Sequence, residues 1–260
     1  MAAKIAERIN VPPGPIRRWA LFLDIDDTLL DIAPTPHAVV VPDTLPEVMG
    51  QIHASLDGAI ALISGRALAD IDRLFRFHAG NSPAAGQHGA ELRLPNRQII
   101  RAMVEPGRLA ALRARVTEET EPFPGTLVEH KGASLAVHYR KAPDAGDAIG
   151  RVLDRLIGEH GGGFDLVPGK MVFEIKPKGA DKGRAVETFM ERRPFAGRVP
   201  VFVGDDVTDR DGMAAAERLG GYAVHVGGEA GGRYWLPSPK FVRLWLAGLP
   251  RAAAREAARA

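Results

Sequence analysis

The stretch Leu21-Phe-Leu-Asp-Ile-Asp-Asp-Thr28 constrains this chain more than any other. An apolar run beginning at Ala20 ends in three carboxylates and a hydroxyl. A short apolar run bounded this way predicts a buried strand. Alternation along a strand places Asp24 and Asp26 on one face, with Asp27 opposite. Two carboxylates ~4 Å apart repel by roughly 4 kcal/mol at an effective dielectric near 20. A hard divalent cation with oxygen ligands offsets that repulsion. Capping a following helix would account for one carboxylate, not three.

The rest of the chain repeats the theme. Ala59 to Ile63 is a second apolar strand, ended by Ser64-Gly65-Arg66, with a helix expected from Ala67 to Phe75. Val199 to Val203 is a third, ended by Gly204-Asp205-Asp206, with a helix expected from Thr208 to Leu219. Strands alternating with helices imply a parallel sheet, whose ligands sit beyond the carboxyl ends of the strands. The middle has another rhythm. Helices at Pro106–Glu118 and Ala145–Glu159 are each followed by two strands: Thr126–His130 with Ala133–Tyr139, then Phe164–Val167 with Met171–Ile175. This predicts an α/β fold with a smaller α/β domain, residues 102–176, inserted between core segments 19–101 and 177–250. Residues 1–18, with Pro12, Pro13, Gly14 and Pro15, are expected to form a mobile arm. Residues 251–260 are expected to form a frayed, solvated tail.

Composition narrows the function classes. A formal net charge of +2 argues against nucleic acid as the main partner. The absence of cysteine excludes disulfides and thiolate metal sites. No apolar run approaches the ~20 residues of a membrane span, and the first residues carry no signal-peptide pattern. The expectation is a cytoplasmic monomer acting on a small molecule.

The strand ends suit phosphoryl chemistry. Asp24 is ionised at neutral pH and can attack phosphorus directly. Asp26, two residues on, can protonate the leaving oxygen and then activate water. Thr28 is placed to position Asp26 or bond the phosphate. Ser64 can cap its helix or bind a phosphate oxygen at the helix N-terminus. Arg66 is a candidate phosphate or sugar contact. Lys182 follows Asp181, a natural N-cap, so its charge opposes the helix dipole. Neutralising a phosphate transition state explains that placement better than a surface role. Of Asp205, Asp206 and Asp209, at least one should bind metal, and Asp206 or Asp209 can cap the helix that follows. All-oxygen ligands favour Mg²⁺ over Zn²⁺.

Asp24-x-Asp26-x-Thr28, Ser64, Lys182 and Gly204-Asp-Asp-x-x-Asp209 resemble, in order, the four motifs of the haloacid dehalogenase superfamily. The inserted domain resembles its type C2 cap. Ile63-Ser-Gly-Arg66, His88-Gly-Ala-Glu91, Val128-Glu-His-Lys-Gly132, Glu174-Ile-Lys-Pro177, Asp181-Lys-Gly183 and Gly204-Asp-Asp-x-Thr-Asp209 are similar to the trehalose-6-phosphate phosphatase family. The resemblance spans about Phe22 to Val226. It implies a Rossmann-like parallel-sheet core with Asp24 as nucleophile and Asp26 as general acid/base. It also implies Mg²⁺ on Asp24, the Asp26 carbonyl and Asp205, with Asp206 and Asp209 as outer contacts. Glu129, Lys131, Lys170 and Glu174 of the cap, with His88, would bind the sugar. Asp27 stands where the family usually has glycine, and Arg210 where it usually has an acid. Sucrose 6-phosphate or mannosyl-3-phosphoglycerate would suit the same chemistry, and a non-catalytic phosphosugar sensor would suit the same fold.

Overall fold

The computed structural model describes residues 11–33, 38–76, 82–160, 162–227 and 233–258. Trp19–Leu23 (β1) is buried at every position inside an eight-stranded sheet. Full burial on both faces is what a continuous apolar run can tolerate and an alternating one cannot. Val199–Gly204 (β10) pairs with it in parallel on one side and Ile60–Ile63 (β2) on the other. Tyr222–Val226 (β11) and Tyr234–Leu236 (β12) continue the sheet beyond β10. Ala84–Gly86 (β3), Glu91–Arg93 (β4) and Ile99–Arg101 (β5) continue it beyond β2. The pairing of β4 with β3 is antiparallel.

Alternation along β1 sorts the covering helices. Trp19 meets Trp245 of Pro239–Ala257 (α7), ring centroids 6.1 Å apart, and α7 packs on Leu45–Ser55 (α1). Phe22, on the opposite face, stacks on Phe189 of Lys182–Met190 (α5) and on Phe195. Beside it in register, Phe202 packs so closely on Arg210–Arg218 (α6) that only glycine fits at position 212. The result is a helix-sheet-helix sandwich. Each buried aromatic of this kind contributes about 1.5–3 kcal/mol.

A second sheet, of four antiparallel strands, has the order β6-β7-β9-β8: Leu127–Lys131 (β6), Ser134–His138 (β7), Val172–Pro177 (β9) and Phe164–Gly169 (β8). Leu135, Val137 and Ile175 pack beneath Pro106–Thr120 (α3) and Gly146–Glu159 (α4), with Leu112, Val116, Ile149 and Leu153. The polypeptide divides into two compact units, Met1–Ile99 with Asp181–Ala260, and Ile100–Ala180.

Several expectations need correction. Over its described part, the amino-terminal arm is tied to the main core. Ile16 is buried in the main core, and its backbone N–H donates to Glu256 Oε2 at 2.8 Å. The same contact removes the frayed tail, because α7 runs through to Ala257 with Ala253 buried. Residues 1–10, and Arg259 in the tail, lie outside the described residues. Helix α1 begins at Leu45-Pro46, with Thr44 at its N-cap. Strand β12 has no counterpart among the expected elements. Among the described residues, no helix is long and apolar enough to cross a membrane.

Candidate active site

The three polar signatures end adjacent parallel strands β10, β1 and β2. Directly after β1, Asp24 is tied to the sheet through its N–H, which donates to Val203 O at 3.0 Å. Its side chain is buried, and Oδ1 accepts from Lys182 Nζ at 2.7 Å. Lys182 opens α5, where Asp181 accepts from Arg184 N at 2.7 Å and so caps the helix. The ammonium also donates to Asp209 Oδ1 at 2.6 Å. Lys182 is 2% exposed and Asp209 is 0% exposed. A buried lysine between two buried carboxylates is an assembled ion cluster, not a surface charge.

Asp209 is the residue the sequence undervalues. It is expected as an outer contact or a cap, yet its Oδ2 accepts from the backbone N–H groups of Asp205 and Asp206, both at 3.0 Å. A side chain at Gly204 would put its Cβ 2.4 Å from the Asp209 carboxyl carbon, so glycine is required there. Asp206 caps the 3-10 turn Val207–Asp209, which leads directly into α6, so the helix expected from Thr208 to Leu219 opens with a 3-10 turn. Thr28 Oγ1 donates to Asp205 Oδ1 at 3.1 Å, so the hydroxyl positions Asp205 and not Asp26.

Asp26 looks elsewhere. Its carboxylate is gripped by Arg66 through two hydrogen bonds, 2.7 Å from Nε and 2.6 Å from Nη2. Such a bidentate pair holds the carboxylate in one orientation. The Asp24 and Asp26 carboxylates thus meet different side-chain cations, Lys182 and Arg66. Ser64 is buried, and its Oγ accepts from Arg66 N at 3.1 Å, which shapes the loop that presents the guanidinium. Ser64 does not cap the following helix, Leu68–Leu74 (α2). Glu91 of β4 takes that place, its Oε2 accepting from Leu68 N at 3.0 Å. His88 is a packed residue of this loop system. Its N–H donates to Ser64 O at 3.0 Å, and its ring lies where a Cβ on Gly65 would fall.

Charges in the cluster do not balance. Burial and the facing Asp209 push the Asp24 carboxyl well above the usual carboxylate range, although Lys182 pulls it down. Burial alone would lower the Lys182 ammonium, but Asp209 and Asp24 outweigh it and hold the group above the ordinary lysine value. Asp209 pushes both groups upward, adding to burial at Asp24 and opposing it at Lys182. Asp205 is pushed up to about 7 by burial and by Asp209.

One oxygen each of Asp24, Asp205 and Asp209 lies within 4.8 Å of the others. Donors of this kind, all oxygen and carrying excess negative charge, fit a hard divalent cation. This set differs from the expected one by including the Asp209 carboxylate.

A pH-dependent stability follows. Asp205 titrates at about 7 when folded and near 3.9 when unfolded, so the folded state binds the extra proton between those values. Metal-free protein should therefore lose stability as pH rises from about 4 to 7, with Asp24 acting in the same direction. Lys182 contributes nothing in that window, since its charge is lost only above the ordinary lysine range. A divalent cation competes with those protons, so the Tm increment it produces should grow from pH 5 to pH 8. An increment independent of pH would show that the cation does not bind these carboxylates.

On the second sheet, Glu129 pairs in register with Ala136, and Ala136 with Glu174, so the three form one transverse row. Alternation turns this row away from the helices that cover Leu135 and Val137. Lys131 Nζ donates to Glu174 Oε1 at 2.8 Å, and His138 Nε2 lies 2.9 Å from Glu129 Oε2. Lys170 is not on a strand. It lies in the turn before β9 begins at Val172. His138 is missed by the sequence reading, hidden at the end of the apolar run Ser-Leu-Ala-Val-His138. Period-2 alternation, carried one residue beyond that run, would have placed it on the polar face.

The fold is of the haloacid dehalogenase type, with the acidic cluster at the ends of its parallel strands. A phosphatase of that superfamily from Bacteroides thetaiotaomicron has the same fold, with a TM-score of 0.62 at 16% identity over 92% of this chain and 97% of that one. The C-terminal domain of C. albicans trehalose-6-phosphate phosphatase superposes with a TM-score of 0.76 at 22% identity, over 90% of this chain and 92% of that one. Residues 22–232 match the trehalose-phosphatase family model. A probable trehalose-phosphate phosphatase of Sinorhizobium fredii is 43% identical over 209 residues, 80% of this chain and 78% of that protein. The trehalose-6-phosphate phosphatase of Escherichia coli is 38% identical over 234 residues, 89% of this chain and 86% of that protein. The chain belongs to the trehalose-phosphatase family, and it is a phosphatase acting on a small-molecule sugar phosphate.

Proposed function

We propose that the protein hydrolyses trehalose 6-phosphate to trehalose and phosphate, with Mg²⁺, through a phosphorylated Asp24. The observation that carries the chemistry is Lys182, buried between Asp24 and Asp209 beside Asp205. An Asp24 carboxylate oxygen bonds to phosphorus as the sugar oxygen leaves, and Asp26 gives that oxygen its proton. Water then attacks phosphorus, Asp26 accepts the water's proton, and the bond to Asp24 breaks. Lys182 holds Asp24 in position and neutralises charge that accumulates on the phosphoryl oxygens. Arg66 releases one Asp26 oxygen for these proton transfers, and its guanidinium then serves the phosphate alongside Ser64. Asp24, Asp205 and Asp209, with the Asp26 carbonyl, would hold Mg²⁺, and Asp206 stays with its cap. When bound, Mg²⁺ neutralises the phosphate against the carboxylates. His88 supports the Ser64 loop. The reading retains a cytoplasmic, monomeric enzyme.

Phosphate binding alone cannot tell one sugar from another, so the distal ring must be read separately. Glu129, Lys131 and Glu174 suit its hydroxyls, with Lys170 beside them in the adjoining turn. A charge-assisted hydrogen bond to a hydroxyl contributes ~1.5–3 kcal/mol. Glu129→Ala or Glu174→Ala should therefore lower the preference for trehalose 6-phosphate over glucose 6-phosphate by roughly 10- to 150-fold. If kcat/KM fell equally for both substrates, these residues would support the fold and not the choice of sugar.

A further inference from the structure

We propose that His138 is a positioning residue of the sugar-binding face, holding the Glu129 carboxylate in the orientation that accepts a ligand hydroxyl. This rests on the reading of Glu129 as a sugar contact. The geometry is specific. Glu129 faces Ala136 in register, and His138 stands two residues further along the same strand, diagonal to Glu129 on one sheet face. Alanine between the two carboxylates gives neither of them a partner. Each draws its own from one position away: Glu174 takes Lys131 at 2.8 Å, and Glu129 takes His138 at 2.9 Å. Lys131 thus donates to Glu174 and His138 stands against Glu129. An ionised carboxylate only accepts hydrogen bonds, so His138 Nε2 carries the proton and donates. The bond engages Oε2, leaving Oε1 for the ligand. His138, first, and then Lys131 by its charge hold the Glu129 carboxyl below the usual carboxylate range despite partial burial and nearby Glu174.

A long glutamate at the open face of a sheet has three side-chain torsions, and fixing them before the ligand arrives reduces the entropy lost on binding. The bond to His138 does this without occupying the hydroxyl's place.

The test is steady-state kinetics on trehalose 6-phosphate with His138→Ala, His138→Gln, Glu129→Ala and the double variant Glu129→Ala/His138→Ala. Losing one positioning hydrogen bond should raise KM about 3- to 10-fold with kcat within about twofold. His138→Gln, whose amide can donate from a similar place, should recover most of that loss. In the Glu129→Ala background, His138→Ala should add nothing further. Wild-type KM in His138→Ala, beside a loss in Glu129→Ala, would overturn the role of His138 and leave Glu129 standing. Additive losses in the double variant would overturn it too, by showing an effect independent of Glu129. So would a loss that His138→Gln fails to recover, accompanied by a lowered Tm, because that is a merely structural role. Wild-type KM in Glu129→Ala would remove the reading of Glu129 itself, and the inference with it.

Discussion

Asp24→Asn should release no phosphate above background, a loss of about 10⁴-fold or more. An amide cannot form the acyl-phosphate, and loss of a covalent nucleophile has effects of this order. Misfolding would not explain the loss. The substitution keeps the side chain's shape and removes one of the carboxylates in excess around Lys182, which keeps its contact with Asp209. The metal-free variant should therefore be at least as stable as the parent. Asp26→Asn should slow both half-reactions without abolishing the first contact with phosphorus. Near-normal turnover in Asp24→Asn would mean that water attacks in line and that Asp24 is only a ligand.

Lys182→Met should have the second largest effect, and on two observables. Methionine is close to lysine in length, but it leaves the Asp24 and Asp209 carboxylates without their shared cation. Breaking one side of a buried ion cluster costs about 3–5 kcal/mol. Metal-free protein should show this in urea unfolding, and a divalent cation should recover part of it. Removing the charge that meets the phosphoryl oxygens should lower kcat/KM by roughly 10²–10³-fold even at saturating cation. A variant with parental stability in EDTA would contradict the pairing described here.

Residues whose placement is set locally were legible in the sequence. Asp24 ends an apolar run, and Lys182 follows its own helix cap, so strand pattern and dipole logic sufficed for both. What sequence reasoning missed is decided by packing between distant segments. Thr28 meets Asp205 across 177 positions, and Asp26 meets Arg66 across 40, so neither partner can be read from spacing. Asp209 looked peripheral because its burial depends on the bare backbone at Gly204, visible only once the loop is folded against it. Capping misled at Ser64, where the local signal was satisfied by Glu91 from another strand. The end of the terminal helix, from Arg251, looked like a solvated alanine-rich tail, and only its partners show otherwise: Ala253 is buried and Glu256 accepts from Ile16 N.

Phosphate release by the purified chain tests the central claim most directly. Trehalose 6-phosphate, glucose 6-phosphate, sucrose 6-phosphate and mannosyl-3-phosphoglycerate would be compared, each with Mg²⁺ and after EDTA. The expected result is turnover that requires Mg²⁺ and a kcat/KM for trehalose 6-phosphate well above all three others. Full turnover after EDTA, or a higher kcat/KM for any of the other sugar phosphates, would contradict it.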